Sequence, residues 1–277
     1  PGFPFDSYDP NDLTVQIIEK LSNDNNVVVV FANGNDGGDG SSDQSNIFAK
    51  VPAAIGVAAA NRDGVGMASF SSRGDAENRD TWPDISAPGV DIWSAAARAT
   101  LIGGATGVGD LAGDDLDYYY LAISGTSMAT PHVAGLVALL FQAAPSLTMS
   151  DVDEDLDSVG NPILHDPTGI ANPQEASRYI HEAEFILKLT SDYKTDGENI
   201  PSNFSIGLDD RPLDYAQGYG LVNADRAVAL ATALQELRDT NGDLVVDNPE
   251  VTVWDAYPLL DEMFLNGTET KKADGLQ

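Results

Sequence analysis

Ser127 is the residue of this chain best placed to do chemistry. It lies in Ile123-Ser124-Gly125-Thr126-Ser127-Met128-Ala129-Thr130-Pro131-His132-Val133-Ala134-Gly135, between two stretches of different period. Tyr118–Ser124 is aromatic and apolar and reads as a buried strand, whereas apolar residues recur at Val133, Leu136, Val137 and Leu140 with helical spacing. The chain must therefore turn from strand into helix at Gly125-Thr126-Ser127. The first turn of a helix offers backbone N–H groups without intrahelical partners and the positive end of the helix dipole. A hydroxyl there suits a nucleophile whose attack creates an oxyanion. The other reading is that Ser127 only caps the helix and the small residues only let it pack closely; Gly-Thr-Ser alone leaves both open.

The elements before this point supply a frame. Asp12–Leu21 reads as an amphipathic helix with Leu13, Ile17, Ile18 and Leu21 on one face. Asn23–Asn26 ends it, and Val27–Phe31 reads as a fully buried strand. Val51–Ala60 reads as the next strand and Asp91–Ser94 as a short one. Helix and strand in alternation, with a glycine-rich loop after the strand, predict a parallel α/β sheet with its site at the strand C-termini. That loop is Ala32-Asn33-Gly34-Asn35-Asp36-Gly37-Gly38-Asp39-Gly40. It does not suit a phosphate: the spacing is wrong, no helix opens after it, and Asp36 and Asp39 would repel an anion. A flexible turn is the remaining reading from these residues alone.

Taken whole, Gly125–Gly135 (GTSMATPHVAG) resembles the nucleophile segment of the subtilisin-like serine peptidases almost letter for letter. Gly34-Asn35-Asp36-Gly37, after a valine strand and ahead of that segment, resembles the family's oxyanion segment. Ala68–Gly74 and Asp84–Val90 resemble intervening segments with structural roles, loop packing and a Pro-Gly corner. Pro145–Thr148 resembles the turn after the nucleophile helix, and Gly218–Asn223 with Ala224–Leu237 resembles the closing turn and last helix. The resemblance covers roughly residues 10–160 and 215–238. It implies an α/β fold of three layers with a mostly parallel central sheet, incomplete at the N-terminal side. It implies Ser127 as nucleophile and Asn35 as side-chain donor to the oxyanion. Ala32, Asn33 and Gly34 would line the pocket for the residue before the scissile bond, Asn33 departing from the small residue often found there. His132 belongs to the helix and is not the base.

Such peptidases use Asp, His and Ser in that chain order. The three histidines are His132, His165 and His181, none in a His-Gly-Thr-His setting, and only 34 residues precede Asn35. The expectation is therefore the C-terminal half of a peptidase domain, begun inside a longer precursor or left by processing. Its partners are a protein or peptide substrate and the missing N-terminal half that holds the Asp and His. Expressed alone, it should have no peptidase activity. The reading from another class is a non-catalytic relic, a calcium- or protein-binding surface module that keeps the fold. His181-Glu182-Ala183-Glu184-Phe185 begins like a zinc-peptidase helix, but Phe185 stands where the second His is required. Residues 160–217, polar and rich in Pro and Asp, read as an insertion into a peptidase part spanning 1–238.

The tail, 239–277, departs from that part. Asp239, Asn241, Asp243, Asp247 and Glu250 stand at positions 1, 3, 5, 9 and 12 of a twelve-residue EF-hand-like calcium loop, with Ala224–Leu237 before it and Val251–Phe264 as a second helix. Position 6 needs positive φ and holds Leu244, which would cost about 1–2 kcal/mol there. Pro258 falls inside the second helix. A polar turn ending a helix explains the same residues. Gly103–Asp117 is a Gly/Asp-rich loop open to the same two readings, cation site or exposed loop.

Composition sets the limits. The 277 residues carry 14 Lys+Arg against 44 Asp+Glu, a formal net charge of −30. That excludes nucleic-acid binding, since phosphate contacts need a basic surface. High-salt surroundings, several calcium sites or plain solubility charge would each account for it. Cysteine is absent, so disulfides and Cys-based zinc sites are excluded. No window is apolar for the eighteen or more residues a span requires, and there is no signal-peptide pattern. An extracellular or cell-surface location follows from the resemblance and the acidity. If Asp–Asp repulsion governs the surface, thermal stability rises from low to molar NaCl by screening. A melting temperature that is flat or falling in NaCl would refute this.

Overall fold

The computed structural model describes residues 9, 11–96, 120–150, 180–207 and 211–260. Helix α1, Leu13–Asn25, opens on Asp12, whose Oδ1 accepts from the Thr14 amide at 2.7 Å. It closes on Asn26, whose left-handed φ of 55° suits a helix stop. The buried face is Val15, Ile18 and Ser22, not the expected stripe: Leu13, Ile17 and Leu21 are exposed. Val15 and Ile18 are chosen because they meet Val51, Ala54, Val29 and Phe31.

Strands β1 (Val29–Ala32), β2 (Ala54–Ala60) and β3 (Ile85–Pro88) form a parallel sheet in that order. The period-two alternation of a strand divides β1 between layers. Val29 and Phe31 face α1, while Val28 and Val30 pack on the main core, with Val133, Leu136, Val137 and Leu140. Every residue of β2 is buried, as a central strand requires. The outer side of β3 is bonded by residues 220–222, Val222 donating to the Ser86 carbonyl at 2.9 Å. β1 has no second strand partner among the described residues. It is therefore half-buried rather than fully buried, and Val27 is exposed.

The aromatic stretch before Ser127 also differs from expectation. Its described part, β5 (Tyr120–Ile123), pairs antiparallel with β4 (Ile92–Ala95) in a separate two-stranded ribbon. A ribbon outside the central sheet is wetted on one side, so Tyr120 and Trp93 are exposed. Helix α2, Thr126–Ala143, follows, and Val133, Leu136, Val137 and Leu140 are all buried against the sheet. Its outward residues Ala134, Gly135, Ala138 and Leu139 are exposed.

The second half of the described chain closes the core. Met149–Ser150 and Ile180–His181 pair as a short ribbon (β6, β7), and α3, Glu182–Thr190, is buried at every residue. This helix lies inside the stretch read as an insertion. Its charges are paired: Lys188 with Glu184 at 2.7 Å and Asp84 at 3.0 Å, and Glu182 with Arg238 of α4, Ala224–Arg238. Residues 253–260 form a further helix, α5, and its Val253, Ala256 and Leu260 belong to the same core cluster as α2, α3 and α4.

His181 caps α3. Its Nδ1 accepts from the Ala183 amide at 3.0 Å, so the proton sits on Nε2, which donates to Asn26 Oδ1 at 3.0 Å. Burial lowers its pKa from 6.5 to about 4. The folded state thus resists a proton that the unfolded chain takes up below 6.5. The stability present above 6.5 is lost as pH falls toward 4, by about 3 kcal/mol for the full shift. His181→Asn, which keeps a capping oxygen but does not titrate, should flatten the urea midpoint between pH 6.5 and 4 relative to the parent. Equal slopes for the two proteins would contradict this account.

Candidate functional site: a serine at a helix N-terminus beside an asparagine

Two chain ends meet here, the C-terminal end of β1 and the N-terminal end of α2. Gly125 is the N-cap of α2 and has no side chain to satisfy the first amides. Asn35 does this from another segment: its Oδ1 accepts from the Thr126 amide at 2.9 Å and lies 3.1 Å from the Thr126 hydroxyl. Because Oδ1 faces the helix, the Asn35 amide nitrogen Nδ2 points elsewhere and makes no hydrogen bond among the described residues. The Thr126 hydroxyl, fully buried, also accepts from the Gly34 amide at 3.2 Å. Gly125 is held from below, donating to the Gly89 carbonyl at 2.8 Å, while Gly89 donates to Ala60 at the end of β2.

Ser127 is therefore not the cap. It sits two residues past the cap, exposed, in the first turn of α2. Pro131 removes the N–H that would bond the Ser127 carbonyl, so that carbonyl lacks its intrahelical partner. Ser127 and Asn35 are both exposed, and Asn35 is held against the first turn of α2 through the Thr126 amide, at the dipole's positive end.

The Asn35 loop is fixed by the segment 68–74. Gly34 takes φ of 112°, and a Cβ there would stand 2.6 Å from Ser72 Oγ, so only glycine fits. Ser72 donates its amide to the Gly34 carbonyl at 2.9 Å, and its Oγ accepts from the Asp36 amide at 3.0 Å. Gly37 and Arg73 continue the lacing. Of the expected pocket wall, Ala32 and Gly34 are half-buried at the end of β1. Asn33 is wholly buried, its side chain turned inward to the Ser72 carbonyl at 2.8 Å and Ser45 Oγ at 3.3 Å. Its backbone is engaged as well, the N–H donating to the Val57 carbonyl at 3.0 Å and the carbonyl accepting from the Asn46 amide at 2.8 Å.

Among the described residues no imidazole is hydrogen-bonded to Ser127. His132 turns back on its own helix, Nδ1 to the Met128 carbonyl at 2.9 Å. His181 stacks edge-on against Phe141 at 5.3 Å. That is the far end of α2, roughly 21 Å of helix from Ser127. His165 and Gly103–Asp117 lie outside the described residues. Sequence reasoning missed Thr126 and Ser72 as partners of the Asn35 loop. Thr126 is next to Ser127 in sequence, but no local spacing tells that it reaches a residue 91 positions earlier.

In the tail loop, Leu244 has φ of 65°, the left-handed conformation that position 6 of a calcium loop demands. The loop lies between α4 and α5, as a helix–loop–helix site requires. Its carboxylates, however, bond the loop itself. Asp239 Oδ1 and Oδ2 accept from the amides of Gly242, Asp243 and Leu244. Desolvation pushes the Asp239 carboxyl up, but these amides outweigh it and hold its pKa below the ordinary value. Asp247 Oδ2 accepts from Thr240, and Asn241 Oδ1 from the Asp243 amide. No three His or acidic side chains among the described residues converge as a cage. The backbone fits a calcium loop; the side-chain oxygens point to the loop's own amides.

Comparison with known proteins agrees with this geometry. The chain is 37% identical over 156 residues to subtilisin amylosacchariticus of Bacillus subtilis subsp. amylosacchariticus, covering 55% of this chain and 34% of the relative. It is 36% identical over 155 residues to a subtilisin of Bacillus pumilus, covering 55% and 47%. To serine protease AprX of Bacillus subtilis it is 36% identical over 135 residues, covering 46% and 29%. The aligned stretch spans between about a third and a half of the length of these relatives. The sequence model of the Subtilase family matches residues 5–158, more than half of the chain and inclusive of both Asn35 and Ser127. On that match, and with these two segments brought together in space, the chain belongs to the subtilase family.

Proposed function

We propose that this chain carries the nucleophile and oxyanion donor of a serine endopeptidase, secreted or held at the cell surface. The observation that carries the reading is the turned Asn35 amide, its oxygen fixed on the Thr126 amide next in sequence to the exposed Ser127 and its nitrogen without a hydrogen-bond partner among the described residues. Ser127 attacks the peptide carbonyl, and Asn35 Nδ2 with an amide of the α2 N-terminus holds the oxyanion. An extended substrate lies against the end of β1, met by Ala32 and Gly34, with the buried Asn33 packed behind them. The base that takes the Ser127 proton, and the Asp behind it, come from a further part of the domain. The unpaired edge of β1 and the exposed apolar faces of α1 and α2 support docking of that part here. Without it Ser127 keeps its proton and is a weak nucleophile, so the isolated chain is inactive.

In the whole protein, Ser127→Ala abolishes peptide hydrolysis with an unchanged melting temperature. Asn35→Ala lowers kcat by about 10²–10³ with little change in KM, a magnitude carried over from a subtilisin. The relic reading instead predicts a whole protein that neither cleaves peptides nor takes a fluorophosphonate at Ser127. Labelling at another serine, or an unaltered kcat for Asn35→Ala, would sink the assignment.

The same proposal extends to calcium at Asp239, Asn241, Asp243, Asp247 and Glu250, supported by the loop spacing and the left-handed Leu244. Binding would require Asp247 to leave Thr240 and the oxygens to turn inward. Calcium, but not magnesium at equal concentration, should then raise the melting temperature of the chain, and Asp243→Asn with Glu250→Gln should abolish the rise. Identical melting curves with and without calcium would leave 239–250 as a turn.

A further inference from the structure

We infer that Ser72 is a positioning residue for Asn35, a role that rests on the oxyanion reading above. Ser72 is wholly buried, and its polar groups all engage the neighbours of Asn35 rather than Asn35 itself. Its N–H donates to the Gly34 carbonyl at 2.9 Å, its Oγ accepts from the Asp36 amide at 3.0 Å, and its carbonyl accepts from Asn33 Nδ2 at 2.8 Å. Residues 33, 34 and 36 are thus tied to one side chain and its backbone, and the Asn35 Cα is fixed between them. The contact is close as well as polar, since Ser72 Oγ occupies the space that a side chain on Gly34 would need.

The far end of the same residue is held independently, Asn35 Oδ1 on the Thr126 amide. The donor Nδ2 is therefore aimed by two anchors, Thr126 on the carboxamide and Ser72 on the backbone. A displacement of about 1 Å at such a donor is enough to lose catalytic benefit, because oxyanion stabilisation depends on distance to an atom that exists only in the transition state. Thr126 is part of the helix and moves with Ser127. Ser72 is the anchor on the strand side, tying the loop that carries Asn35 to the segment 68–74.

The Thr126 amide reports where the Asn35 carboxamide is, whether or not the protein turns over. In the whole protein, Ser72→Ala should speed hydrogen exchange at the Asp36 and Thr126 amides by about tenfold, the worth of one lost hydrogen bond, with the α4 amides unchanged. Ser72→Cys, which keeps a weaker acceptor in a similar volume, should fall between, and it decides the matter if the alanine variant does not fold. In kinetics, Ser72→Ala should lower kcat about tenfold with KM within about twofold, and should cost nothing more in an Asn35→Ala background. Unchanged exchange at Thr126, exchange raised equally throughout α4, or an undiminished loss in the Asn35→Ala background would overturn the role. Absence of turnover in the unsubstituted protein would count against the peptidase reading alone, and the exchange rates would still decide for or against Ser72.

Discussion

The bond from the Thr126 amide to Asn35 Oδ1 is what the rest of this structure is arranged to permit. A helix that starts on glycine leaves its first amides without a capping side chain. Here the missing acceptor arrives from the end of a strand in another segment, so one interaction caps α2, orients the Asn35 amide and joins strand layer to helix layer. Its demands explain the small residues nearby. Gly34 must let Ser72 approach, and Gly89 must lie against Ala59 and the Gly125 carbonyl, where a Cβ would come within 2.6 Å and 2.8 Å of them. The run of alanines in β2 leaves room for both neighbours.

Local pattern revealed the frame of the site but not its wiring. The helical spacing of Val133, Leu136, Val137 and Leu140 gave the buried face of α2 correctly, because a long helix averages over its neighbours. The same reasoning chose the wrong face of α1. Leu13, Ile17 and Leu21 are more apolar than Val15 and Ser22, but burial is decided by what the helix meets, and Val15 and Ile18 are the residues that α1 turns toward β1 and β2. Asn35 and Ser127 stand out in the sequence because their segments resemble characteristic strings of the family. Thr126 and Ser72 act through contacts between distant segments, and no sequence period encodes those.

Helix α3 was illegible for a different reason. Its sequence, Glu182–Thr190, carries acids and a lysine at the density of a surface helix, and each is nevertheless buried. The charges are satisfied by Arg238 and Asp84, far away in the chain, and by the turn pair Glu184–Lys188. Arg238 also donates to the carbonyls of Ser146 and Val251, so one guanidinium fixes the end of α4, the turn after α2 and the start of α5. Removing either partner of such a pair leaves an uncompensated buried charge, which is costlier than never having the pair. Fixed ion pairs of this kind make the later segments a single cooperative unit with the nucleophile helix.

The unpaired edge of β1 has a colloidal consequence for the isolated chain. Among the described residues β1 pairs on one side alone, and an edge of that kind offers its amides and carbonyls to any similar edge, including that of another copy. What keeps copies apart is charge: 14 cationic residues against 44 acidic ones make approach costly at low ionic strength. At molar salt the Debye length shrinks to about 3 Å, and that barrier is gone. The ions that calm repulsion within one molecule therefore disarm the repulsion between molecules. Solubility and stability pull toward opposite ends of the salt scale until something covers the edge.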